Sequence, residues 1–73
     1  MRILLAEYER SLSSALVTIL KYNNFSVDAC YDGLEALSFF SVNNYDWVIL
    51  DIMMPKLNGL DVLKKMTLLI LFN

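Results

Sequence analysis

Two carboxylates stand where short apolar runs stop: Glu7 follows Ile3-Leu4-Leu5-Ala6, and Asp51 follows Trp47-Val48-Ile49-Leu50. Runs of this kind suit strands buried on both faces of a parallel sheet. Open parallel sheets bind ligands beyond the carboxyl ends of their strands. If the first and third strands are neighbours, about 4.8 Å apart, Glu7 and Asp51 emerge at one edge and can share a divalent ion. Mg2+ is the natural candidate, a hard ion held by one or two carboxylates together with water and phosphate oxygens. The turn after the first strand, Glu7-Tyr8-Glu9-Arg10, has no glycine-rich phosphate cradle, which argues against a P-loop or dinucleotide-binding enzyme. The chain has no histidine, so the usual general base and triad chemistry are absent.

Helices must carry the chain between these runs. Leu12, Ala15, Leu16, Ile19 and Leu20 recur at the spacing of one amphipathic stripe. Glu9 or Ser11 can cap that helix, and Asn23-Asn24 can stop it, since Asn tolerates the left-handed conformation. In Phe25–Cys30, Phe25, Val27 and Ala29 alternate with Ser26 and Asp28, the pattern of an edge strand. Asp32-Gly33 is a turn or cap signal, and Leu34–Val42 reads as a second helix with Ala36, Leu37 and Phe40 inward. Phe39 and Trp47 also read as packing residues. A loop, Ile52–Asn58, holds the only proline, and Gly59–Met66 starts a third helix.

Strand and helix therefore alternate three times, which calls for a parallel sheet with right-handed crossovers. The tail 67–73 is open to two readings. Leu60, Leu63, Thr67, Ile70 and Leu71 can share one helical face, or Leu68–Phe72 can form a fourth strand. A helix of eight residues is only about 12 Å long, short for a return along a strand, which favours continuation of the helix.

Hydrophobic residues make up 58% of the 73, well above the usual ~45–50%. A chain this short rarely gains more than ~3–5 kcal/mol from a single core. So much apolar surface points to a fragment, an obligate oligomer or a domain that has lost a part. Six basic and eight acidic residues are spread without a basic stripe, so direct nucleic-acid binding has no support. The lone Cys30 is expected as a buried, inert thiol, in keeping with a reducing cytoplasm. No apolar stretch approaches the ~20 residues of a membrane span.

Three segments carry a family resemblance. "MRILLAEYERSL" looks like the first strand and acidic cluster of a response-regulator receiver domain, and "VDACYDGLEAL" resembles the segment after it. "YDWVILDIMMPKLNGLDVLKKM" is similar to the third strand, phospho-acceptor aspartate, Met-Pro loop and following helix of that family. The likeness covers residues 1–66, leaves 67–73 as a divergent tail, and is nearest the class whose receiver precedes a winged-helix DNA-binding output domain. The resemblance implies a flavodoxin-like fold, truncated, with a parallel sheet of strand order 2-1-3 flanked by helices. It implies a cytoplasmic signalling module of a two-component phosphorelay rather than an enzyme, served by a sensor histidine kinase. Asp51 would be the phospho-acceptor; Glu7, Asp51 and the Met53 carbonyl would bind Mg2+; Pro55 and Gly59 would shape the loop, Gly59 through conformational freedom.

Two departures follow from the same comparison. Tyr8 occupies a usual metal-ligand position, and a phenol with a pKa of about 10 is a poor Mg2+ ligand at neutral pH, so binding is expected to be weak or lost. Glu9 belongs to the helix start. The family's phosphate-reading Ser/Thr and its neutralising Lys lie in later strands, and Lys56, Lys64 and Lys65 match neither, reading as solvated side chains. Three roles stay open: a receiver phosphorylated at Asp51, a pseudo-receiver acting as an interaction or dimerisation module, and a vestigial truncated product. With order 2-1-3 the third strand is a free edge, so self-association through it or through the Leu68–Phe72 tail is expected.

Overall fold

A computed structural model describes residues 1–72, with side chains to residue 70; the expectations placed on Leu71 and Phe72 as side chains, and on Asn73, lie outside the described residues. β1 (Arg2–Ala6) is the middle strand, and each of its apolar residues from Ile3 to Ala6 is buried. α1 (Arg10–Tyr22) crosses to β2 (Ser26–Cys30), α2 (Gly33–Val42) crosses to β3 (Trp47–Leu50), and α3 (Gly59–Phe72) follows. All pairings are parallel and the strand order is β2-β1-β3, with Ile3 opposite both Val27 and Trp47. Residues 67–72 continue α3 and are not a fourth strand.

One face of the sheet is closed by α2 and α3. Leu4, Ala6, Cys30, Ala36, Met54, Val62 and Met66 form its core, with Leu37, Phe39, Phe40, Val48 and Leu50 packed around it. Two expected stripes are displaced here by the structure. α3 buries Val62 and Met66, while Leu60, Leu63 and Ile70 of the expected face are exposed.

On the other face, α1 turns Ser13 inward with Leu16, Val17 and Leu20 beside it, while Leu12, Ala15 and Ile19 are exposed. The helix carries more apolar surface than the sheet covers, so periodicity alone picks a stripe about 80° away from the buried one at ~100° per residue, sharing Leu16 and Leu20 with it. α1 packs over β1 and β2, leaving the same face of β3 open. Trp47, expected to pack, is 61% exposed, and Ile49 beside it is exposed as well.

The amino ends of the strands are tied together by charge. Arg2 donates through Nη2 to Asp28 Oδ2 at 2.8 Å and to Asn43 Oδ1 at 3.2 Å, and its guanidinium lies 5.1 Å from the centroid of the Tyr45 ring. Tyr45 donates its hydroxyl to the same Asp28 oxygen at 2.7 Å. That bond, ahead of the Arg2 contact, holds the Asp28 carboxyl below its ordinary range; burial pushes the Tyr45 phenol up to about 12. Asp46 completes the seam, accepting from Arg2 N at 2.7 Å and donating its own N–H to Arg2 O at 2.8 Å.

Candidate functional site at the carboxyl edge of the sheet

Register sets the site. Ala6 pairs with both Cys30 and Leu50, so the residue after each strand leaves the sheet at the same level. Asp51 N donates to Ala6 O at 2.8 Å and Glu7 N donates to Cys30 O at 3.1 Å, extending the ladder by one step on each side. Glu7 and Asp51 are thus brought to one edge by backbone bonds.

Each carboxylate is steadied by its own loop. Glu7 Oε2 accepts from Glu9 N at 3.0 Å, and Asp51 Oδ1 accepts from Met53 N at 3.0 Å. These are local turns in which an acidic side chain bonds the backbone two residues on. Among the described residues neither carboxylate has an ion-pair partner; the two ion pairs are Arg2 with Asp28 and Lys56 with Asp32. Lys56 is therefore not wholly free in solvent, although its side chain is mostly exposed.

Glu9 is fixed elsewhere. Its carboxylate accepts from Ser11 N at 3.2 Å, Ser11 Oγ at 2.7 Å and Leu12 N at 2.9 Å, making it the N-cap of α1. The Ser11 hydroxyl first, then the two amides, pull its carboxyl below the usual value. Tyr8 lies between Glu7 and this cap and is 57% exposed. Arg10 lies over the Tyr31 ring, 3.5 Å from its centroid, and among the described residues forms no ion pair with Glu7 or Asp51.

The loop from Ile52 to Asn58 is tightly drawn. Met54 is buried in the core while Met53 is 80% exposed. Leu57 N donates to Pro55 O at 2.7 Å across Lys56, whose φ is 68°, the uncommon and strained form of a three-residue turn. Gly59 N donates to Ile52 O at 2.9 Å. The reason for glycine at 59 is space, not the conformational freedom expected: its φ is not positive, and a Cβ there would overlap the Asp51 carbonyl and come within 2.9 Å of Ile52 Cα. Asn58 caps α3, Oδ1 accepting from Asp61 N at 3.0 Å.

A residue that periodicity passed over touches this loop. Gly33 opens α2 behind the cap Asp32, whose Oδ1 accepts from Glu35 N at 2.8 Å, and a Cβ on Gly33 would overlap the backbone of Leu57. The signal was present as a glycine in a first helical turn, where alanine serves a helix better.

The donor set at the edge is hard oxygen: two carboxylates with an oxygen each not engaged by their loops, and the carbonyls of an exposed turn. Such donors fit Mg2+, which needs few protein ligands. Among the described residues no group of three acidic, histidine or cysteine side chains is close enough to form a fuller cage.

A parallel sheet of this order with paired carboxylates at its carboxyl edge defines a class, and sequence comparison agrees. Residues 3–69 match the response regulator receiver domain family, and the chain belongs to it. It is similar to the transcriptional regulatory protein DltR of Streptococcus agalactiae, 43% identical over 65 residues, which are 89% of this chain and 29% of that protein. The chain thus spans under a third of the length of the curated relatives it matches. Its fold superposes on the Francisella response regulator 1452 receiver domain with a TM-score of 0.88 at 32% identity, covering 90% of this chain and 55% of that one. It also superposes on the response regulator TrrA of Thermotoga maritima, solved in complex with Mg2+-BeF, with a TM-score of 0.84 at 39% identity, covering 88% of this chain and 56% of that one. TrrA has also been solved in complex with the histidine kinase ThkA.

Proposed function

We propose that the chain serves as the phosphoryl-accepting part of a two-component signalling protein, with Asp51 as acceptor and a sensor histidine kinase as donor. The observation that carries this reading is the placement of Asp51 beside Glu7 at the carboxyl edge of β1 and β3, with one Asp51 oxygen bonded to Met53 N. A carboxylate oxygen of Asp51 would form a bond to phosphorus as the donor's nitrogen–phosphorus bond breaks, the imidazole leaving. Such transfer rests on positioning and charge stabilisation. Glu7, Asp51 and the Met53 carbonyl would hold Mg2+, which supplies positive charge to the phosphoryl oxygens. Tyr8 adds no charge to this set and Glu9 is committed to capping α1, so the ion is held weakly. The chain acts as a cytoplasmic signalling module, not as an enzyme with its own turnover, and the unit is a partial receiver domain over residues 1–73.

The test is incubation with acetyl phosphate and Mg2+, read by intact mass. The expected result is a small phosphoryl mass increment that Asp51→Asn abolishes and that Tyr8→Asp increases, with Mg2+ affinity rising about tenfold for the added carboxylate. No increment in either the parent chain or Tyr8→Asp overturns the reading in favour of a non-phosphorylated interaction module.

Self-association is a second reading favoured by a separate observation. β3 is an edge strand with Trp47 and Ile49 exposed on the face that α1 leaves open, and Leu12 and Ile19 of α1 are exposed too. Continuing the right-handed β1-α1-β2 crossover, the apolar flank of α1 faces the β3 side, so these residues border one trough. A second copy pairing along β3 would bury part of it. Sedimentation at micromolar concentration is expected to show a dimer that Ile49→Lys disperses; a monomeric parent chain excludes it.

A further inference from the structure

We propose that Gly33 is a positioning residue for the phospho-acceptor loop: by lacking a Cβ it lets the first turn of α2 seat against Leu57 and so fixes residues 51–59. The inference rests on the reading of Asp51 given above for its functional consequence, and on geometry for the rest.

Two contacts join the two segments. A Cβ on Gly33 would overlap the Leu57 carbonyl oxygen and lie 2.6 Å from its carbonyl carbon and 2.7 Å from its Cβ, so the obstacle is backbone that has no flexible end to swing aside. Asp32, one residue earlier, pairs through Oδ2 with Lys56 Nζ at 3.4 Å while its other oxygen caps the helix. Between these anchors, Lys56 is held at φ 68° with Leu57 N bonded to Pro55 O. A non-glycine residue keeps such a backbone only where its surroundings over-determine it.

The loop has a second anchor of the same kind at its far end. Gly59 abuts the Asp51 carbonyl and Ile52 Cα, and its N–H bonds Ile52 O. The segment from Asp51 to Gly59 is thus clamped by glycines at both ends: Gly59 against Asp51 and Gly33 against Leu57. Moving Leu57 outward by the width of a methyl group cannot be absorbed within so short a turn, because Met54 is buried in the core and cannot follow. The displacement is passed instead through Asn58 to Gly59, which abuts the Asp51 carbonyl and donates its N–H to Ile52 O.

Hydrogen exchange followed by mass spectrometry tests this on the full chain, with Mg2+ affinity as a second readout. Gly33→Ala is expected to raise exchange of the amides of residues 52–59 at least tenfold, leave β1 amides protected, and weaken Mg2+ binding several-fold. Ala36→Gly, which lowers stability by removing a good helix former from the same helix, is the control; it should leave the ratio of loop to β1 exchange unchanged. If Gly33→Ala does not fold, Asp32→Asn keeps the cap and removes the ion pair, and should raise loop exchange about twofold, the scale of an exposed ion pair. Loop exchange unmoved in Gly33→Ala, or in Asp32→Asn where that variant stands in, overturns the proposal, as does an equal rise in Ala36→Gly. A parent chain with no Asp51-dependent phosphorylation but a Gly33-dependent loop would refute the functional reading and leave the positioning role standing.

Discussion

The two ends of the sheet handle their charges in opposite ways. At the amino end, Arg2, Asp28, Asn43, Tyr45 and Asp46 satisfy one another across all three strands, cation against anion. At the carboxyl end, Glu7 and Asp51 receive a single backbone N–H each and have no cationic partner among the described residues. A charge whose partners are already in the fold stabilises it; a carboxylate steadied only by its own loop has an oxygen left for something from outside. The same residue type, aspartate, thus does structural work at position 28 and is available for chemistry at position 51.

Paired substitutions put this contrast at risk. Asp28→Asn removes the anion that Arg2 and the Tyr45 hydroxyl share. Hydrogen bonds to charged groups are worth about 1.5–3 kcal/mol, but Arg2 and Asp28 are each more than a third exposed, and screening by solvent lowers the expected loss to about 1 kcal/mol. Asp51→Asn keeps the oxygen that accepts from Met53 N and should change stability by less than about 0.5 kcal/mol. Urea unfolding of both variants decides the matter. Equal losses at the two positions would mean that the carboxyl end is as much a structural seam as the amino end.

That contrast is only half legible in the sequence. The order of strands and helices follows from alternation of buried runs with helical spacing, and the ends of the first and third apolar runs place Glu7 and Asp51 together once those strands are taken as neighbours, an order that the family resemblance supplies and the runs do not. The amino-end network is not visible there, because Asp28 reads as the polar partner in an alternating edge strand, whereas its side chain meets Arg2 and Tyr45, distant in sequence and adjacent only through register. The stripes on α1 and α3 are misplaced for a related reason. Both helices are apolar on more than one side, so spacing alone does not decide which side meets the sheet, and Ser13, which does, is excluded by any reading that looks for apolar residues. Gly33 reads only as part of a turn or cap signal, because a missing side chain does not say what it makes room for; the approach of Leu57 supplies that.

A smaller effect, silent at neutral pH, separates the two ends by titration. Cys30 ends β2 at the carboxyl edge, and burial first, then the charges of Glu35, Asp32 and Asp28, push its thiol up to about 12 from an ordinary 9.0. Tyr45 at the amino end is pushed to about 12 from 10.0, by burial and by its bond to Asp28. Both groups stay protonated in the fold at pH values where the unfolded chain has ionised. Over that range the folded state binds more protons, so stability falls as pH rises. The thiol acts from about pH 9 upward and the phenol from about pH 10, each until its folded pKa is passed. Unfolding free energy measured from about pH 8 to about pH 11 should begin to decline near pH 9 in the parent chain. Cys30→Ala should move that onset up by about one unit, leaving the part due to Tyr45, and Tyr45→Phe should flatten only the steeper decline above about pH 10. An onset that Cys30→Ala leaves at about pH 9 would show that the thiol is not held neutral beneath the carboxyl edge, and that this end of the sheet is wetter than its packing against Ala36 and Val62 implies.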